Sequence, residues 1–355
     1  MKVVVGHSED VDSESAIEEV LDACAASLNG ITPQAGLLYV AIDHDFQLIL
    51  DRIMARYPDL ELVGCTTDGE ISSTVGFAED SVVLMLFHSD SVHFGAGIGE
   101  SVREGPALAS QQAVAMASEE LEGPVCGGLA GDQVRFDTTY QFYKSSVLTN
   151  SVPVLLFAGP LNVSAGVDSG WEPLGGVYRI THAEGPTVYT IDDKPASEVW
   201  LRFFGSLEFH SYSHTVAVFP NGTEGEHPEF YLSAPAQFNE DGSMTVLNPI
   251  PQGAQIRLAD ATRDQIVAGA AASIGKAADA YPGEAPDAAL IYSCAGRRVA
   301  LGTRVSEESK VLQERLAEDV PVAGFYTYGE FCPLPSSPKP QSHGCTFVTV
   351  LIGEC

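Results

Sequence analysis

Positive charge is what this chain has least of. Its 18 Lys and Arg stand against 48 Asp and Glu, a formal net charge of −30 at pH 7. A nucleic-acid partner needs a basic surface facing its phosphates, so that class is excluded. An anionic membrane surface is excluded on the same ground. The acid excess favours solubility through self-repulsion, and a salt-rich cytoplasm is one setting that suits it. No apolar run reaches 18 residues, so no transmembrane helix is expected. The opening Met1-Lys2-Val3-Val4-Val5-Gly6 is too short an apolar run for a signal peptide. The seven cysteines are scattered and odd in number, without a C-x-x-C pair. That argues against a zinc ribbon or a disulfide framework and fits reduced thiols in the cytosol. His210 and His214 are four apart, but their segment reads as strand or loop, so no metal site is expected there.

What the chain does have is a repeat. Val63-Gly64-Cys65-Thr66-Thr67-Asp68-Gly69-Glu70-Ile71 is echoed by Ala323-Gly324-Phe325-Tyr326-Thr327-Tyr328-Gly329-Glu330-Phe331. Each reads apolar, Gly, two variable residues, Thr, one residue, Gly, Glu, apolar. The surroundings match as well. Helical periodicity over 14–28, with Ile17, Val20, Leu21, Cys24 and Leu28 on one stripe, precedes an apolar run at 37–42, a second helix at 46–57, the first turn, and a strand at 82–87. The later copy has a helix at 263–280, strand residues 289–292, a helix at 307–316, the turn, and a strand at 347–352. The expected fold is α/β: two lobes, each a helix-strand-helix-strand-glycine-turn-strand unit, on mixed sheets. Glycines at a strand end suit a turn that aims N–H groups at a ligand, and the following Glu would stand at the rim. The alternative is a pair of turns whose Glu caps local N–H groups.

Between the copies lies a third glycine-rich stretch, Val125-Cys126-Gly127-Gly128-Leu129-Ala130-Gly131-Asp132, after a helical pattern over 106–121. It lacks the spacing of a dinucleotide loop. Asp132 suits an Asx-turn or a ligand amine. Hairpin material follows at 140–158, a strand at 177–181, and a helix over 195–204 opening on Pro195. Residues 205–230, with His210, His214 and His227, read as a boundary, which sets domains at 1–215 and 216–355. The second opens with a hairpin turning at Asn239-Glu240-Asp241-Gly242. Residues 333–343, rich in proline and serine, read as a loop, with a flap over the second turn one use for it.

Taken in order, Gly64-Cys65-Thr66-Thr67-Asp68-Gly69-Glu70-Ile71, Gly127-Gly128-Leu129-Ala130-Gly131-Asp132, Gly170-Trp171-Glu172-Pro173-Leu174-Gly175, Ser293-Cys294-Ala295-Gly296-Arg297 and the second turn resemble the FIST family, the paired FIST N and FIST C domains of bacterial sensory proteins. The resemblance runs from about residue 30 to the end. It implies a cytoplasmic sensor binding a small ligand, an amino acid among the classes implied. Family members are often fused to output domains, for which this chain has no room; the signal would pass to a separate partner such as a histidine kinase or cyclase. One departure is Gly344-Cys345-Thr346, where an Asn is expected just before the Thr.

Three chemistries follow. In a ligand sensor, Arg297 would grip a carboxylate bidentately, with an interdomain salt bridge as its structural alternative. Glu70, Glu330 or Asp132 would take an amine, and Cys65, Thr66, Tyr326 and Thr346 would line the pocket between the lobes. In a haem-based gas (nitric oxide) sensor, a role some relatives take, His182 would be the axial ligand and Arg179 would meet a propionate. In an enzyme, Cys65 would be a nucleophile activated by turn N–H groups, or Glu70 and Glu330 a carboxylate pair. Phe325 at the place of Cys65 in the second copy, and the lack of a nearby His, weigh against the enzyme. The expectation is a ligand sensor without a cofactor.

Overall fold

The computed structural model describes residues 1–117, 123–207, 213–223, 229–334 and 337–355. Both copies of the repeat fold as expected. In the first, the parallel strands Ala35–Val40 and Glu61–Thr66 lie beside the antiparallel Val82–His88 and Lys2–Ser8. The helices Ser13–Leu28 and Phe46–Arg56 cover one face of this sheet, burying Ile17, Val20, Leu21 and Leu28 with Ile49, Leu50 and Ile53. Asp12 caps the first of them by accepting from Ser15 N–H, and Asn29 closes it in the left-handed region. In the second copy, parallel Ala288–Cys294 and Val322–Thr327 lie beside antiparallel Phe347–Glu354. The helices Arg263–Ala280 and Ser306–Arg315 cover that sheet. Thr262 and Gln265 form a capping box at the first of these.

The two sheets stack face to face, making a helix–sheet–sheet–helix sandwich. Leu37, Tyr39, Cys65, Met85 and Phe87 pack against Leu290, Tyr292, Phe325, Val348 and Val350. The Tyr39 and Phe325 rings are 4.7 Å apart. Dense apolar packing fills this interface, so the chamber expected between the lobes does not lie there.

The first glycine of each motif is not in a turn. Gly64 and Gly324 sit within their strands, opposite Leu38 and Ile291. A Cβ on Gly64 would stand 2.0 Å from the Leu38 carbonyl oxygen, and one on Gly324 2.1 Å from that of Ile291. Close backbone approach is what the repeated glycine permits.

The expected boundary near residue 215 does not divide the sheets. Glu70–Ser72 leaves the first sheet and pairs with Val322–Thr327 in the second. Leu161–Asp168 pairs with Phe347–Glu354. An outlying antiparallel sheet joins Glu172–Glu184 to Gln255–Asp260 across the same point. The helix Ala196–Phe204 contributes Trp200 to that sheet's core. The expected hairpin around residue 240 forms, Pro235–Phe238 pairing with Met244–Val246.

The loop expected at 333–343 is mostly strand. Glu330–Leu334 and Ser337–His343 form an antiparallel ribbon that also holds Gly127–Gly128. Proline is tolerated because Ser337–His343 is an edge strand of this small sheet. The helix expected at 106–121 runs over Pro106–Ala117, and its last expected turn lies outside the described residues, as do His210 and His227.

Candidate functional site

The three glycine-rich stretches converge. Asp68 N–H donates to Tyr326 O at 2.9 Å, and Tyr326 N–H to Gly69 O at 2.8 Å, joining the two turns. Residues 127–132 run between them: Gly131 N–H reaches Thr66 O and Leu129 N–H reaches Gly329 O, each at 2.9 Å. Thr327 Oγ1 donates to Leu129 O at 2.7 Å.

The two glutamates are wholly buried and hold equivalent positions. Glu70 accepts from Ser81 N–H at 3.3 Å and Ser81 Oγ at 2.6 Å, and from the Thr67 hydroxyl. Glu330 accepts from Thr346 N–H at 3.2 Å and Thr346 Oγ1 at 2.6 Å. Ser81 and Thr346 each precede the long strand that completes their sheet. Each Glu therefore ties its turn to the start of that strand instead of standing at a rim. Thr327, unlike Thr67, is turned away, and Glu330 Oε1 has no hydrogen-bond partner among the described residues. Burial raises the Glu70 carboxyl to about 7 and Glu330 well above the usual range. With the Ser81 hydroxyl donating to Glu70, His7 Nε2–H donates to Ser81 Oγ (2.9 Å) and its Nδ1 accepts from Ser72 Oγ (2.7 Å). Burial lowers His7 to about 4, which keeps the ring neutral.

Arg297 is also fully buried. Its Nε and Nη2 donate to Glu308 Oε1 at 3.0 and 2.6 Å, Nη2 to Ile266 O at 2.7 Å, and Nη1 to the carbonyls of Ser169 and Cys345. All five N–H donors are used, which leaves none for a ligand carboxylate. Tyr326 is drawn into the same network, donating to Glu308 Oε2 at 2.5 Å. Sequence reading identified the arginine and could not identify Glu308, on the next long helix, as its partner.

Cys65 faces the inter-sheet core, and burial raises its thiol far above the ordinary value, the reverse of an activated nucleophile. Thr66 Oγ1 accepts from Tyr140 N–H at 3.0 Å. His182 lies half-exposed, its ring stacked on Tyr189 and 3.6 Å from Glu184, and Arg179 is exposed. Haem needs an apolar slot around its axial ligand, and this surface does not fit it.

The residues that remain form a loop. Asp132 is buried and accepts from Phe136, Asp137 and Thr138 N–H at 3.0, 2.7 and 3.2 Å, and from the Tyr328 hydroxyl. Burial works to raise this carboxyl, but these hydrogen bonds outweigh it and hold it below the usual range. Gln133, Val134 and Phe136 all have left-handed φ of 57°, 61° and 52°. For side-chain-bearing residues that costs about 1–2 kcal/mol each, and a β-branched Val is rarely found there. Asp68, which sequence reading passed over, steadies the loop by accepting from Val134 N–H at 2.9 Å. Its Oδ2 has no hydrogen-bond partner among the described residues and lies 3.8 Å from Arg298. A cavity of about 210 Å³ opens on this loop, lined by Ile42, Phe46, Asp132, Arg135, Asp137 and Thr138, with Tyr140. Beside the loop's far end, Phe136 stacks on Tyr328 at 4.8 Å.

Two domain profiles match the chain: the FIST N domain over residues 34–194 and the FIST C domain over residues 196–333. The chain belongs to the FIST family. FIST domains are associated with signal transduction and small-ligand binding. This FIST protein is 23% identical over 373 residues to an uncharacterized Mycobacterium tuberculosis protein, Rv0628c, covering 94% of this chain and 95% of the relative. It is 22% identical to a Mycobacterium bovis protein, Mb0898c, over 98% and 97% of the two chains. A Methanocaldococcus jannaschii protein, MJ1623, matches at 25% over 43% of this chain and 37% of its own length. No helix among the described residues is long and apolar enough to cross a membrane.

Proposed function

We propose that this FIST protein is a sensor whose small ligand, an amino acid, binds on the loop that follows Asp132. The observation that carries this reading is a cavity lined by both signs of charge, Asp132 and Asp137 beside Arg135, on a loop held in an unfavourable backbone conformation. A zwitterion needs one cationic and one anionic group within reach. Arg135 is exposed and, among the described residues, its guanidinium is held by Asp43 and Gln133, so it can exchange a partner for a ligand carboxylate. Asp137 would meet the ammonium, while Ile42 and Phe46 would bound the side chain. Binding shifts the loop between two arrangements, and the hydrogen bonds from residues 127–132 to both turns pass that shift to the sheets. The output goes to a separate signalling protein.

The test is calorimetry with a panel of amino acids on wild type, Arg135→Ala and Asp137→Asn. One or more amino acids should bind wild type, with at least ten-fold weaker binding to each variant. Absence of binding across the panel, or variants with wild-type affinity, would overturn the site.

A further inference from the structure

We infer that Cys126 is a peroxide-oxidised residue and that Cys332 resolves it as an intramolecular disulfide. The two sulfurs lie 3.4 Å apart, although 206 positions separate them in the chain. Their backbones are matched as well. Glu330 pairs with Gly128 and Phe331 with Gly127, so the next step of this antiparallel ladder sets Cys332 opposite Cys126. Directly opposed residues in such a ladder have Cα separations of about 4.5–5.5 Å, within the range a disulfide spans. Closing the bond therefore needs side-chain rotation and little backbone movement.

The two thiols differ in access in the way the chemistry requires. Cys126 is partly exposed, and Cys332 is fully buried beneath it. The adjacent Cys126 sulfur and then burial raise the Cys332 thiol, so it stays protonated and unreactive toward oxidant from solution. A hydroperoxide reacts at the Cys126 sulfur: its O–O bond breaks as the S–O bond forms, and the departing oxygen leaves as alcohol or water with the Cys126 thiol proton. Cys126 is then a sulfenic acid. The Cys332 sulfur attacks it, the S–S bond forms, and the sulfenic oxygen leaves as water with the Cys332 proton. Each thiol gives up one electron, and the peroxide takes up both.

The bond would fasten the stretch before Gly127–Gly128 to the strand that carries Glu330. A second pair of cysteines serves as an internal control. Cys294 and Cys345 both have their sulfurs within 4 Å of where a Cβ on Gly296 would stand, but both are buried, so peroxide should not reach them in the folded protein.

The experiment treats the reduced full chain with hydrogen peroxide, alkylates it under denaturing conditions, and maps the peptides by mass spectrometry. The expected result is one Cys126–Cys332 cross-link, reversed by dithiothreitol, with a raised melting temperature and with Cys294 and Cys345 alkylated. In Cys332→Ser, dimedone should label Cys126. Should that variant fail to fold, the wild-type map alone decides. A cross-link through Cys65 instead, or Cys126 found reduced or as sulfonic acid without a Cys332 link, would overturn the inference.

Discussion

Thr346 gives Glu330 two hydrogen bonds, from its backbone N–H and from its hydroxyl, and leaves the other carboxylate oxygen without a hydrogen-bond partner among the described residues. Glu70 and Ser81 repeat the arrangement in the first half, with Thr67 supplying the missing donor. The repeat has kept a buried carboxylate twice as a tie between a turn and the strand that closes its sheet.

That burial makes stability depend on pH. Glu70 titrates near 7 in the fold and near 4.5 when unfolded. The folded state holds the proton more tightly, so its contribution is full below pH 4.5 and lost as pH rises through 7. The loss is about 3 kcal/mol. Glu70→Gln keeps the shape without the charge. Urea melts from pH 4.5 to 8 should show a smaller decline for the variant than for wild type. Parallel curves would refute the shift.

His7 acts in the opposite sense. Its folded value is about 4 against 6.5 unfolded, so its contribution is full above pH 6.5 and lost as pH falls toward 4. Between pH 4.5 and 6.5 the two groups offset each other. In His7→Gln the acid-side loss should shrink, the buried His44 and His343 keeping their share of it, and stability should fall more steeply with rising pH than in wild type. The same melts check this.

Arg297→Ala should destabilise the protein by about 3–5 kcal/mol, because it leaves Glu308 buried and unpaired. Adding Glu308→Ala should recover part of that loss. Denaturant titration measures both. A wild-type midpoint for Arg297→Ala, with ligand binding lost, would instead return the residue to a recognition role.

Gly64→Ala and Gly324→Ala should each prevent folding or lower the melting temperature sharply, since the new methyl group meets a neighbouring carbonyl at 2.0 or 2.1 Å. Gly275→Ala is the control. It lies in the helix Arg263–Ala280 with nothing within 4 Å of its Cβ. It should gain about 0.5–1 kcal/mol. Circular dichroism melts of the three variants would decide, and a folded Gly64→Ala with a wild-type midpoint would refute the packing account.

Much of the architecture was legible in the sequence. Apolar periodicity placed the helices Ser13–Leu28 and Arg263–Ala280 and the core strands, because those elements are specified by residues within one or two turns of each other. The repeated glycines and glutamates announced a duplicated unit. Tertiary structure decided what those residues do. Arg297 could be a ligand clamp or a buried tie until Glu308, Ile266, Ser169 and Cys345 surrounded it. Residues 333–343 read as a loop until the fold sets Ser337–His343 at a sheet edge, where proline is tolerable. Asp68 gave no sign of its role, since Val134 reaches it from 66 positions away. Local pattern records which side chains avoid water. The partner of a buried polar group depends on which distant segments the fold brings to it, and that is settled only once the sheets have stacked.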